Sequence, residues 1–161
     1  MKKKNKDKKV LFISSTGGHL NELLKLKPLF KKYNSYLATE KQKTNMYLKD
    51  EYKNVFYLLY GTKDHPLSYP FKLLINCFIS LFQFIRIRPD VIVTTGTHTA
   101  GPMCCLAKIF GKKVVYIETM ANINTKTITG RLIYKIADLF IVQWESMLKL
   151  YPKARYGGGI F

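Results

Sequence analysis

The sequence predicts a doubly wound α/β domain built on a parallel sheet. Three observations carry that reading. Short β-branched runs alternate with helical patterns, the connections are short, and small glycine-containing turns follow the strands. The 161 residues suffice for one domain with a proper core and are too few for two large ones. Residues 1–9 read as a basic disordered tail, and residues 10–161 as the single domain.

Each element has its own signal. Val10 to Ser14 reads as a buried strand, and Leu20 to Lys32 as a helix with Leu20, Leu23, Leu24 and Phe30 on its apolar face. Tyr36 to Thr39 is a second strand, Asn45 to Asp50 a short helix, and Val55 to Leu59 a third strand. The stretch from Tyr60 to Pro70, with Gly61, Pro66 and Pro70, reads as a loop in which His65 is a surface residue. Phe71 to Ile87 is a long helix. Val91 to Thr94 is a strand, Pro102 to Phe110 a helix, and Val114 to Glu118 a strand. Thr129 to Ile136 is a helix, Leu139 to Val142 the last strand, and Ser146 to Leu150 a helical turn.

The helix from Phe71 has an unusual surface. Thirteen uncharged residues lie between Lys72 and Arg86, and the polar Lys72, Asn76, Ser80 and Gln83 follow at steps of 4, 4 and 3. They form one narrow stripe on an otherwise apolar cylinder. Thirteen residues span roughly 20 Å, short of the ~30 Å hydrocarbon core. Two readings stand: a helix buried between the sheet and a neighbour, or one lying in a membrane interface. In the second, Phe78 and Phe82 meet lipid while Lys72, Arg86 and Arg88 reach phosphate head groups. A mixture puts one side on the sheet and the other on lipid.

Composition narrows the partners. Hydrophobic residues make up 47% of the chain, which excludes a disordered polybasic protein despite a net charge of +17. Such a surplus attracts anions: nucleic acid, an acidic membrane or phosphate-bearing substrates. Four of the 27 cations are Arg (Arg86, Arg88, Arg131, Arg155), and specific base reading favours Arg forks. A lysine-rich coding bias would give the same preference. No RRM, KH, zinc-finger or zipper signature occurs, and the aromatics sit in apolar runs, so no nucleic acid is expected as partner. Cys77, Cys104 and Cys105 fit neither a disulfide framework nor a zinc motif, which points to a reducing cytoplasm.

In an open α/β sheet, ligands bind beyond the carboxyl ends of the strands. After the first strand comes Ser14-Ser15-Thr16-Gly17-Gly18-His19, entering a helix. Its glycines let the backbone approach a ligand, and its N–H groups can meet a phosphate. His19 can donate to an anion or act as a general base; a capping or solvent-facing histidine is the plainer alternative. After the fourth strand comes Thr94-Thr95-Gly96-Thr97-His98-Thr99-Ala100-Gly101, a second hydroxyl-rich turn, where His98 serves equally well as a locally bonded loop residue. Glu118 and Asn122 follow the fifth strand and are polar enough to orient sugar hydroxyls. Trp144, after the last strand, either packs in the core or stacks on a sugar or partner. Glu40 ends the second strand where a dinucleotide fold places its ribose-binding acid, but the first turn lacks the G-x-G-x-x-G spacing that a nicotinamide site requires. No P-loop, G-x-S-x-G or metal motif occurs.

These segments recur in a known order: Ser14 to Leu20, Thr94-Thr95-Gly96, Ile117-Glu118-Thr119, Thr129 to Asp138 and Val142-Gln143-Trp144-Glu145. Together they resemble the bacterial capsule and exopolysaccharide biosynthesis proteins of the PssD/CpsF type. Those in turn are similar to the membrane-anchoring subunit of the eukaryotic two-subunit enzyme that adds the second GlcNAc to dolichol-pyrophosphate-GlcNAc. The likeness extends over nearly the whole chain, to the ending Tyr156-Gly157-Gly158-Gly159-Ile160-Phe161.

The resemblance implies a Rossmann-like, acceptor-side N-terminal half of a split GT-B glycosyltransferase, active with a separately encoded partner. The UDP-sugar is then a substrate held mainly by that partner, and no cofactor is implied. The acceptor is an undecaprenyl-pyrophosphate-linked sugar, and the location is the cytoplasmic face of the membrane. Carried over by position, Gly17 and Gly18 help bind the acceptor pyrophosphate and His19 is the candidate base. Ser15, Thr16, Thr95, Gly96, Thr97, His98, Glu118 and Asn122 complete the acceptor side, and Trp144, Glu145 and Phe161 are candidates for the partner interface. Two departures stand out. Six lysines occupy the region where the eukaryotic subunit has a transmembrane helix, so anchoring falls to that tail and the helix from Phe71. Thr97-His98-Thr99 is also bulkier than the smaller residues expected in that turn. A membrane scaffold without catalytic residues is the alternative within the same family.

Overall fold

A computed structural model describes residues 6–61 and 69–160. Seven parallel strands form one sheet in the order β3-β2-β1-β4-β5-β6-β7. The strands are β1 (Lys9–Ser14), β2 (Asn34–Glu40), β3 (Val55–Leu58), β4 (Val91–Gly96), β5 (Lys113–Ile117), β6 (Leu139–Val142) and β7 (Arg155–Tyr156). The helices are α1 (Gly18–Leu24), α2 (Lys27–Lys32), α3 (Leu48–Glu51), α4 (Tyr69–Ile87), α5 (Gly101–Ile109) and α6 (Ile128–Ile133). The expected doubly wound parallel sheet is therefore present.

Alternation along β1 shows why the sheet is covered on both sides. Leu11 and Ile13 point into a core shared with Phe84 of α4, Met103 of α5 and Ile133 of α6. Val10 and Phe12 point the other way, to Leu20 and Leu23 of α1 and Leu48 of α3. Thus α4, α5 and α6 cover one face, and α1, α2 and α3 the other.

Several boundaries differ from the sequence reading for identifiable reasons. Lys9 belongs to β1 and not to a disordered tail: its N–H donates to Asp90 Oδ2 at 3.0 Å and its Nζ to the Ile87 carbonyl at 3.0 Å. The helix expected from Leu20 to Lys32 is two helices, because Pro28 sits in the first turn of α2. There its missing N–H costs nothing, whereas inside a continuous helix it would clash with the preceding turn. The short helix expected at Asn45 to Asp50 is a 3₁₀ turn, Lys43–Asn45, followed by α3. Strand β7 went unread, being two residues that extend the edge of β6. His65, Phe161 and the lysines of residues 1–5 lie outside the described residues.

Helix α4 presents its polar stripe inward. Asn76 and Ser80 are 4% and 0% exposed, whereas Phe71, Phe78 and Phe82 are 71%, 64% and 65% exposed. Asn76 sets this orientation. Its Oδ1 accepts from the Leu59 N–H at 2.8 Å and its Nδ2 donates to the Leu59 carbonyl at 2.9 Å, just past β3. The amide thereby pairs like a peptide group of an additional strand. Asn76→Leu strands both backbone groups in a poorly solvated place, so it is expected to lower unfolding stability by about 2–4 kcal/mol. Urea denaturation against wild type measures this; an unchanged midpoint would remove Asn76 from the role.

Candidate functional site

The chain order reverses between β1 and β4, which lie side by side in the middle of the sheet. A crevice at the carboxyl ends of such a pair is the usual ligand site of this architecture. The turns at Ser14 to His19 and at Thr94 to Gly101 open there.

A local slip in register builds the site. Ile13 pairs with Thr94, but Ser14 pairs with Gly96, so Thr95 is an extra residue in β4. Its carbonyl, free of the ladder, accepts from His19 Nδ1 at 2.8 Å, and its hydroxyl donates to the His19 carbonyl at 2.7 Å. Because a carbonyl can only accept, Nδ1 carries the proton and Nε2 keeps its lone pair. Gly96 permits this arrangement. Its φ is +102°, and a Cβ there would sit 3.2 Å from Tyr116 Oη and 3.5 Å from the His19 ring.

The turns are joined directly. Thr97 Oγ1 donates to Ser15 Oγ at 3.1 Å, and the Ser15 N–H donates to the Gly96 carbonyl at 3.0 Å. Gly17 and Gly18 are exposed, and a Cβ on either would meet nothing within 4 Å, so their backbone faces open space.

Three carboxylates brace this edge from beneath. Glu40, 2% exposed, accepts from the Thr16 N–H at 3.3 Å and from Thr99 Oγ1 at 2.6 Å, with His98 Nε2 at 3.6 Å. Glu22, 5% exposed, accepts from Thr119 Oγ1, the Met120 N–H and Gln143 Nε2. Glu118, 1% exposed, accepts from the Thr119 N–H, Thr127 Oγ1 and Tyr151 Oη. Burial pushes the Glu118 carboxyl above its usual range, against the pull of those hydrogen bonds and the nearby His19. Hydroxyls, amides and a histidine serve these acids. The described lysine ion pairs lie elsewhere, at Lys108–Asp138, Lys112–Asp90 and Lys113–Asp138.

Gly130 shows how closely the Glu118 cluster packs. A Cβ there would lie 2.6 Å from both Thr127 Oγ1 and Tyr151 Oη, and closer still to Glu118 Oε2. Gly130→Ala is accordingly expected to cost about 1–3 kcal/mol of stability. Thermal melting checks this, and an unshifted melt would show that the cluster gives way freely.

Ser15, Thr16, Gly17, Gly18, Thr97 and His19 come together at the crevice. Thr95 is fully buried, so it positions His19 and does not reach a ligand. Glu118 likewise belongs to the supporting layer: its oxygens are occupied by protein donors, which corrects the expectation that it orients sugar hydroxyls. Asn122 is half-buried and accepts from Thr125 Oγ1 at 3.3 Å. His98 lies toward β2, beside Glu40, and its ring meets Tyr69 edge-on at 5.4 Å. Trp144 resolves toward the core, its Nε1 donating to the Met120 carbonyl at 2.7 Å, while Glu145 is exposed. Lys72 is half-buried and Arg86 and Arg88 are exposed along α4 and its end. Sequence reasoning missed Glu22 as a brace, although it stands one helical turn after His19. It also missed Tyr69, which links α4 to the second turn. Among the described residues, no group of three or more His, Cys, Asp and Glu could hold a metal ion.

A seven-stranded parallel sheet with its crevice at the central reversal is a Rossmann-like α/β fold, of the kind found in GT-B glycosyltransferases and epimerases. Solved structures share that fold. MurG of Acinetobacter baumannii superposes with a TM-score of 0.69 at 20% identity, covering 86% of this chain and 42% of that one. The UDP-GlcNAc 2-epimerase of Methanocaldococcus jannaschii also gives 0.69, at 16% identity over 94% of this chain and 45% of that one. This chain thus spans less than half of either. It belongs to the family described as oligosaccharide biosynthesis protein Alg14 like, which matches residues 10–160. A human relative, UDP-N-acetylglucosamine transferase subunit ALG14, is 27% identical over 94% of this chain and 82% of its own length. The rat protein of the same name is 35% identical over 58% of this chain and 46% of its own. The expected likeness to the eukaryotic two-subunit transferase therefore holds at the level of the family.

Proposed function

We propose that this chain is the acceptor-binding, membrane-docking subunit of a two-component UDP-sugar glycosyltransferase. A separately encoded GT-B half holds the donor, and the acceptor is an undecaprenyl-pyrophosphate-linked saccharide at the cytoplasmic face of the membrane. Capsule or exopolysaccharide assembly, by proteins of the PssD/CpsF type, is the setting this reading assigns. One observation carries it: α4, whose outer face from Phe71 onward is apolar, begins at Tyr69, whose ring meets His98 in the second turn of the crevice. A lipid-seated helix and a phosphate-facing site then form one continuous surface, as a lipid-linked substrate requires.

The chemistry is inverting transfer. His19 Nε2 takes the proton of the acceptor hydroxyl, whose oxygen bonds to the anomeric carbon as the bond to UDP breaks. Negative charge passes to UDP on the partner's side. Gly17 and Gly18 offer backbone N–H groups to the acceptor pyrophosphate, while Ser15, Thr16, Thr97 and Asn122 orient the sugar. The carboxylates hold the turns and touch no substrate. Exposed Glu145, just past β6, marks the side where the partner docks. Ile109, Phe110, Ile128 and Leu132 are also exposed, on or next to α5 and α6, which flank α4 on the same face, and they widen the lipid-facing surface.

Reconstitution tests the assignment. The chain, its donor-binding partner, UDP-GlcNAc and a short-prenyl pyrophosphate sugar are mixed, and sugar transfer is followed. Transfer that needs both chains is expected. Equal transfer by the partner alone would remove this chain from the reaction.

A further inference from the structure

A second cavity lies at the opposite edge of the sheet, where β1, β2 and β3 begin. It holds about 460 Å³, within the ~300–1,000 Å³ of small-ligand sites. Lys6, Lys27, Lys31 and Lys53 line it, from the segment before β1, from α2 and from the turn before β3. Phe30 and Tyr52 line it too, with ring centroids 5.3 Å apart, and Glu51 is the one acid among the lining residues.

The charge arrangement is costly as it stands. Lys27 and Lys31 are four apart on α2, so their ammonium groups share one face and repel. None of the described lysine–carboxylate ion pairs involves any of the four lysines. An anion seated among them relieves that repulsion; Phe30 is stacked on Phe12 at 4.1 Å, and the half-buried Tyr52 ring, tilted against it, supplies the surface for a flat aromatic group. Ring and phosphates together specify the ligand. We propose that this cavity binds a nucleoside polyphosphate, with the four lysines on the phosphates and Tyr52 against the base.

The site is distinct from the transferase crevice and does not depend on that reading. The six residues of β1 separate the two by roughly 20 Å. Phe30 and Tyr52 belong to the core on the α1–α3 side, away from the apolar face of α4, so the cavity does not face the bilayer.

Calorimetric titration of the full chain with ATP, and separately with inorganic tripolyphosphate, tests this. ATP is expected to bind more tightly than tripolyphosphate, with affinity falling as salt rises. Lys31→Glu with Lys53→Glu, both at exposed positions, is expected to weaken ATP at least tenfold without shifting the thermal melt. Tyr52→Ala should weaken ATP and leave tripolyphosphate unchanged, and His19→Ala should alter neither. Absence of ATP binding at millimolar concentration, or binding that survives the double charge reversal, overturns the proposal. Equal affinity for tripolyphosphate overturns the nucleoside assignment, and loss of ATP binding in His19→Ala overturns the placement and puts the ligand in the crevice.

Discussion

His19→Ala in the reconstituted pair is expected to lower kcat by about 10²–10⁴-fold, the usual contribution of a positioned general base. The acceptor KM should move much less, because the pyrophosphate is held by the backbone of the turn. The fold should survive, since the ring is only half-buried and the Thr95 hydroxyl bonds the main chain of residue 19, which the substitution keeps. Wild-type turnover by the variant would sink the proposed base and leave a scaffold that only recruits the catalytic partner.

Phe78→Glu with Phe82→Glu is expected to abolish co-sedimentation with anionic liposomes. Each phenyl group buried in an interface contributes about 1.5–3 kcal/mol, so losing both lowers the partition coefficient by about two to four decades. Both rings are about two-thirds exposed, so the double variant should fold and melt normally. Unfolding would instead favour a helix packed against protein, and retained binding would remove α4 from the membrane. Neutralising Lys72 and Arg86 should cost about 1 kcal/mol each, and only on vesicles with acidic lipids.

Much of the fold was legible because strand and helix patterns alternate and the turns carry glycine and hydroxyl residues. What escaped was set by neighbours distant in sequence. The extra residue at Thr95 depends on how β4 pairs with β1, so the spacing of β4 alone does not reveal it. The stripe on α4 was readable from its 4, 4 and 3 steps, but which side faces inward is decided by the Leu59 backbone, which binds Asn76. Glu22 looks like an ordinary surface acid, and Glu40 and Glu118 read as ligand-binding acids at strand ends; that all three are buried braces depends on donors converging from several segments. The crevice turns, Ser15 to His19 and Thr97, were accessible from sequence because they need little more than a turn at a strand end.

The course of α4 across the sheet has a geometric outcome. Its first residue, Tyr69, touches His98 at the carboxyl edge, and the carbonyl of its last residue, Ile87, is held by Lys9 at the start of β1. The helix therefore runs the length of the strands, antiparallel to them. Once its outer face lies flat in a bilayer, every strand runs level with the membrane and the crevice opens sideways, at head-group height. Under the proposed function, the donor-binding half would stand beside this chain on the same surface, and sugar would pass laterally between two neighbours while the prenyl tail of the acceptor stayed in the lipid.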